Sequence, residues 1–319
     1  MAANGPLSGL RDIDWAGLKH AYGPAADVPD LLDALLPANR DSADRDSADR
    51  DTADRDSAVH ALYGTIFHQG SRYEATAYAV PFLVALAAAD AVPGRAELLR
   101  MLAMLAIGYD EEHLPAGVDT ETWRARTARI TSADRDDRLR QLDQWVADSP
   151  DDRTRRSREF RRMTYDLDAE RDQALAELAA YDAVQARLPA LRGLLGDPDA
   201  GVRAATAYVL GWFPEEAEQT LPALLDLLAG EANAGVTANA IVAAGLLGAA
   251  PPRERLTDPV PAVRWAAAVA LACRGDTSAE VIRELAACAA RQPPQTEPAV
   301  LYQDGDLQQY AAASLGTAS

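Results

Sequence analysis

Apolar residues recur at helical spacing through most of the chain, and one such stretch is written twice. In "DPDAGVRAATAYVLGWF" (197–213) Val202, Ala205, Val209, Leu210 and Phe213 share one stripe of a helix. In "DPVPAVRWAAAVAL" (258–271) Val263, Ala266, Ala267, Ala270 and Leu271 do the same. An Asp-Pro pair precedes each stripe, where proline suits the first turn and aspartate accepts hydrogen bonds from free backbone amides. A leucine-rich helix, "LPALRGLLG" (188–196), leads into the first copy. Between the copies, 221–248 repeats the pattern more loosely, with Val236 in the place of Val202 and Thr237 in the place of the arginine. Toward the N-terminus, 27–37, 58–70, 73–90 and 94–108 are helical in pattern and end in proline, glycine or polar turns.

A pair of helices with one apolar stripe each cannot bury both stripes alone, whereas a stack of such pairs builds a continuous core. The predicted fold is therefore all-α, an α-solenoid (superhelix) of stacked antiparallel helix pairs. Four regions are expected: helix pairs over 1–108 with an acidic low-complexity insertion at 38–57, a polar helical insert at 109–165, repeats over 166–290, and a cap or tail at 291–319. The insertion, built on "RDSAD", places alanine every five residues and marks no helical face, so it is expected to be solvated and disordered. In the polar insert, Trp123, Leu139, Leu142, Trp145 and Val146 suggest one or two amphipathic helices. "DDRTRRSREFRRM" (151–163) then concentrates arginines at 153, 155, 156, 158, 161 and 162. These are expected to neutralise the chain's own carboxylates ahead of forming a phosphate-binding patch.

Charge narrows the partners. The formal net charge is −18, which repels phosphate backbones and favours a basic protein partner. The longest apolar stretch, 75–89, is too short to span a bilayer and contains Pro81, so no membrane anchor is expected. Cys273 and Cys288 lie in apolar helical settings, which fits reduced thiols in a cytoplasmic protein.

Candidate chemistry is thin. His68, Gln69, Arg72, Tyr73 and Glu74 gather polar groups at a tight turn between apolar helices, a place where solenoids often carry function. Trp212 and Trp265 stand where neighbouring repeats have small residues, and each is either a packing plug or an exposed anchor for a partner. Glu111, Glu112 and His113 are adjacent, but no metal-ligand spacing, nucleophile turn or phosphate loop occurs, so no metal, cofactor or catalytic residue is assigned.

The Asp-Pro, Val-Arg and alanine-run frame resembles the HEAT repeat family, including the subgroup similar to phycobilisome-lyase repeats, directly over about 185–290 and more weakly over 25–108. That resemblance implies a structural ladder in which Asp197 with Arg203, and Asp258 with Arg264, tie adjacent repeats, interrupted at Thr237. It also implies a protein-binding module of the scaffold, adaptor or toxin-neutralising type, bacterial in character, holding its partner on a concave helical surface. The alternative is a nucleic-acid-acting enzyme similar to alkylpurine DNA glycosylases. It requires the arginines of 153–162 on the concave face beside tryptophan and a buried aspartate. The oligomeric state is left open.

Overall fold

The computed structural model describes residues 5–37, 45–290 and 300–318. Two short ribbons, β1 (Lys19–His20) with β2 (Gly23–Pro24) and β3 (Phe67–His68) with β4 (Ser71–Arg72), sit among helices. The first helices are α1 (Val28–Asp33), α2 (Arg45–Thr65), α3 (Glu74–Ala87) and α4 (Arg95–Ile107). The polar insert forms three helices, α5 (Thr120–Ser132), α6 (Arg135–Ala147) and α7 (Asp152–Met163). The repeats comprise α8 (Leu167–Gln185), α9 (Leu188–Gly193), α10 (Ala200–Leu210), α11 (Ala217–Gly230), α12 (Ala234–Leu246), α13 (Pro261–Cys273) and α14 (Ala279–Ala289). A last helix, α15 (Leu307–Ala318), follows.

The inner helices stack side by side in the order α4, α10, α12, α13, and each is backed by neighbours: α3 and α8 on α4, α9 on α10, α11 on α12, α14 on α13. This is the expected all-α solenoid. Small side chains set the spacing of the inner row. A Cβ at Gly245 would lie 2.5 Å from the Cβ of Ala270, so α12 and α13 approach as closely as they do only because that atom is missing.

One turn recurs at the head of each repeat. A carboxylate two residues before the N-cap accepts the N-cap amide: Asp197 from Asp199, Glu231 from Asn233, Asp258 from Val260 and Asp276 from Ser278, at 2.7–2.9 Å. The arginine one turn into the helix folds back onto that turn. Arg203 donates to the carbonyls of Asp197 and Pro198, and Arg264 to those of Asp258 and Pro259. The ladder therefore exists but is wired differently from the expected carboxylate pairs. Arg203 reaches forward to both oxygens of Glu231 (2.7 and 3.0 Å), and the Asp197 carboxylate points backward to Arg95 (2.6 and 2.9 Å). A guanidinium whose stem rises along the helix reaches the next repeat, while its own turn offers only carbonyls. Thr237 breaks the ladder as expected, its hydroxyl donating to the Asn233 carbonyl. Arg264 turns to Glu284 on α14 (3.2 Å).

Three expectations fail here. Residues 38–44 lie outside the described residues, but from Arg45 the five-residue repeat is helical and continues without a break into 58–65. Ala58, Val59, Leu62 and Ile66 anchor that end in the core, and a helix once nucleated extends cheaply through alanine and arginine. The predicted helix over 58–70 stops at Thr65, where β3 begins a hairpin. The inner row is also not an open concave surface. All residues from Gly235 to Gly245 of α12 are buried, so that helix is covered all round.

The cover is the chain's own. Cys273 donates to the Pro115 carbonyl, and Gly117 packs at Leu246. From the C-terminal side, the Leu301 amide donates to the Asn239 side chain, Tyr302 packs on Tyr208 and Trp212, and Tyr310 packs on Trp265. The Gln303 amide and the Tyr208 hydroxyl both donate to the buried Asp110 carboxylate (2.9 and 3.0 Å). Trp212 and Trp265, at 0% and 1% exposure, are thus packing plugs and not anchors for a partner. The large rings fill the space between the inner row and its cover.

Candidate functional site

The turn residues His68, Gln69, Arg72, Tyr73 and Glu74 do come together, on a hairpin at the edge of α3. Phe67 pairs with Arg72 and His68 with Ser71, leaving a two-residue loop whose residues, Gln69 and Gly70, both have positive φ (51° and 84°). That is the twist-matched loop of a tight hairpin. Gly70 is required twice, because a Cβ there would also lie 2.8 Å from the Tyr109 ring.

Each side chain has a definite setting. The His68 ring meets exposed Tyr22 edge-on (5.4 Å between centroids), with Nδ1 3.3 Å from the Tyr22 hydroxyl. Arg72 is buried, donates to the Gly70 carbonyl and lies 3.9 Å from Glu177 of α8. Burial lowers its pKa, an effect that the Glu177 charge opposes. The Tyr73 amide donates to the Thr76 hydroxyl (2.8 Å), which caps α3. Burial raises the Tyr73 phenol's pKa. Glu74 is exposed in the first turn of α3, where the helix dipole favours a carboxylate.

Arg72, Tyr73 and Glu74, but not His68 or Gln69, form one end of a groove of about 580 Å³ between α3 and α8. Lys19, Arg72, Tyr73 and Glu74 line it with Tyr78 and Leu175, and Ala77, Ala176 and Ala179 keep it open. Tyr78 and Leu175 are 46% and 51% exposed, unusual for large apolar side chains in adjacent helices. Glu74 and Asp172 have no ion-pair partner among the described residues. The groove combines an apolar wall with two carboxylates outside any ion pair and two cations, Lys19 and Arg72. Sequence reading found the hairpin half; it missed Tyr78, Asp172 and Leu175, whose helix positions look like any others until α3 and α8 pack together.

The arginine-rich segment lies elsewhere. α6 and α7 pack chiefly on each other as a hairpin arm, joined to α8 at its base by Arg135–Asp168 and Arg138–Glu170. Only one of the six arginines is neutralised as expected, Arg162 by Asp143 (2.7 Å); Arg158 instead lies over the Trp145 ring (4.7 Å) and donates to its carbonyl. Arg153, Arg155, Arg156 and Arg161 are exposed and have no partner among the described residues. The arm also stands apart from the inner row, where Trp212 and Asp110 lie buried, so the constellation demanded by a glycosylase-like site is not assembled.

Other candidates are structural. His113 bonds the Ile107 carbonyl through Nε2 (2.8 Å). Burial pushes the Cys273 thiol up to about 11, away from reactivity. Among the described residues no helix is long and apolar enough to cross a membrane.

No curated protein and no solved structure matches the chain. Residues 165–245, which hold α8 to α12 with the recurring turn and the forward-reaching Arg203, match the family model for HEAT repeats.

Proposed function

We propose that the protein is an interaction module that holds a basic protein partner in the α3–α8 groove, on the side of the stack away from the covered inner row. HEAT repeats generally mediate protein–protein interaction. The observation that carries the reading is the groove's pairing of exposed Tyr78 and Leu175 with unpartnered Glu74 and Asp172. Aromatic and aliphatic anchors supply binding energy when a partner covers them, and free carboxylates select a cationic segment. The net charge of −18 speeds the approach of such a partner. Cys273 and Cys288 form no disulfide among the described residues, which supports a scaffold or adaptor working in a reducing cytoplasm.

The test compares the tagged wild type with the Tyr78→Asp/Leu175→Asp variant in quantitative pull-downs from the native cytoplasm. A protein captured in stoichiometric amount by the wild type and lost by the variant is the expected result. Identical captured sets from the two proteins would overturn the groove assignment.

A further inference from the structure

We propose that the occupant of this groove is the α7 arm of a second copy of the chain, exchanged reciprocally in a twofold dimer. The inference rests on the groove reading above and names its partner.

The arm carries what the groove lacks. Arg153, Arg156, Phe160 and Met163 follow one another at intervals of three, four and three residues, so they form a single stripe along α7. Phe160 and Met163 are 61% and 75% exposed, the signature of a helix face meant to be covered. Arg153 and Arg156 at the other end of the stripe have no carboxylate partner, while Glu74 and Asp172 pair with neither Lys19 nor Arg72, the two cations that share the groove. The match is apolar to apolar and charge to opposite charge.

Electrostatics favour a second copy in particular. α7 holds six arginines against Asp152 and Glu159, in a chain whose net charge is −18. The helix is thus a basic segment carried by an acidic molecule, and the acidic surface it seeks is offered by every other copy. The arm's attachment through its base leaves the stripe standing clear of its own body. One helix in one groove buries less than the roughly 1,200 Å² of a stable interface, but reciprocal exchange about a twofold axis doubles the area and closes the assembly.

Sedimentation velocity on the full chain across the micromolar range tests this directly. The wild type is expected to dimerise, more weakly as salt rises. The arm variant Phe160→Asp/Met163→Asp and the groove variant Tyr78→Asp/Leu175→Asp are each expected to stay monomeric alone. Mixed in equal amounts they should form a heterodimer, because one intact arm still meets one intact groove. That complex should be roughly 100-fold weaker than the wild type, since the second contact is no longer intramolecular. All four substitutions are at exposed sites, and far-UV circular dichroism checks that the fold is kept; should either variant misfold, Arg153→Glu/Arg156→Glu mixed with Glu74→Arg/Asp172→Arg replaces the pair. A monomeric wild type, dimers that survive in either single variant, or a mixture without heterodimer would each overturn the exchange. A monomeric wild type whose groove variant still loses a different captured protein would leave the groove reading standing.

Discussion

Arginines in the repeats and arginines in the arm meet opposite fates. Arg203 is fixed by four hydrogen bonds to its own turn and to Glu231 of the next repeat, and Arg95 and Asp197 close a buried bidentate pair between α4 and the turn before α10. Arg153, Arg155, Arg156 and Arg161 hold nothing. Stacked repeats bring the same turn past the same helix position at a constant distance, so one well-placed arginine finds its carboxylate at the next step. An inserted hairpin has no next step, and its charges remain available for another molecule.

The contrast can be broken at its strongest point first. Replacing Asp197 by Ala leaves buried Arg95 with only exposed Asp90 at 3.5 Å and is expected to cost about 3 kcal/mol, measured by denaturant unfolding. The Arg95 guanidinium holds the Asp197 carboxyl below its ordinary value. A depressed carboxylate contributes stability above the unfolded value and loses it as pH falls, so the gap between wild type and variant should shrink below about pH 4. A gap that does not change with pH would show that packing, and not the ion pair, is at work.

Asp110 sharpens the comparison by running the other way. Burial raises its pKa against the opposing hydrogen bonds from the Gln303 amide and the Tyr208 hydroxyl. A raised carboxyl contributes stability below its unfolded value and loses it as pH rises through the folded one. Asp110→Asn, which keeps an acceptor for both donors, should therefore gain on the wild type as pH goes from about 4 to 7. Equal pH profiles for the two proteins would remove Asp110 from the account. At the small end, Arg153→Ala/Arg156→Ala should change unfolding stability by no more than about 0.5 kcal/mol, because neither guanidinium touches the rest of the fold. A larger loss would mean that the arm's charges serve their own chain after all.

What the sequence made legible was local. The twice-written Asp-Pro and Val-Arg frame marks α10 and α13, and the threonine in the third copy marks the gap in the ladder, because caps and the first helical turn involve residues a few positions apart. The partners of those residues were not legible. Arg95 lies 102 residues from Asp197, and nothing near either names the other. The covering of the inner row by 109–118 and 300–316 was equally hidden, since Trp212 looks the same in sequence whether a partner or Tyr302 packs on it. The hairpin residues of the groove could be found because a turn announces itself. Tyr78 and Leu175 could not, since their exposure depends on how far α3 and α8 stand apart.

The C-terminal strap bears on mechanics as well as on packing. An open stack of helix pairs behaves like a spring, since each repeat touches only its neighbours and small rotations add along the axis. Here residues 301 to 310 tie α12, α10, the loop after α4, and α13 together from across the stack. Bending the row means stretching that tie. The tie therefore takes from the row the elasticity of its architecture and holds the inner helices as a stiff bracket.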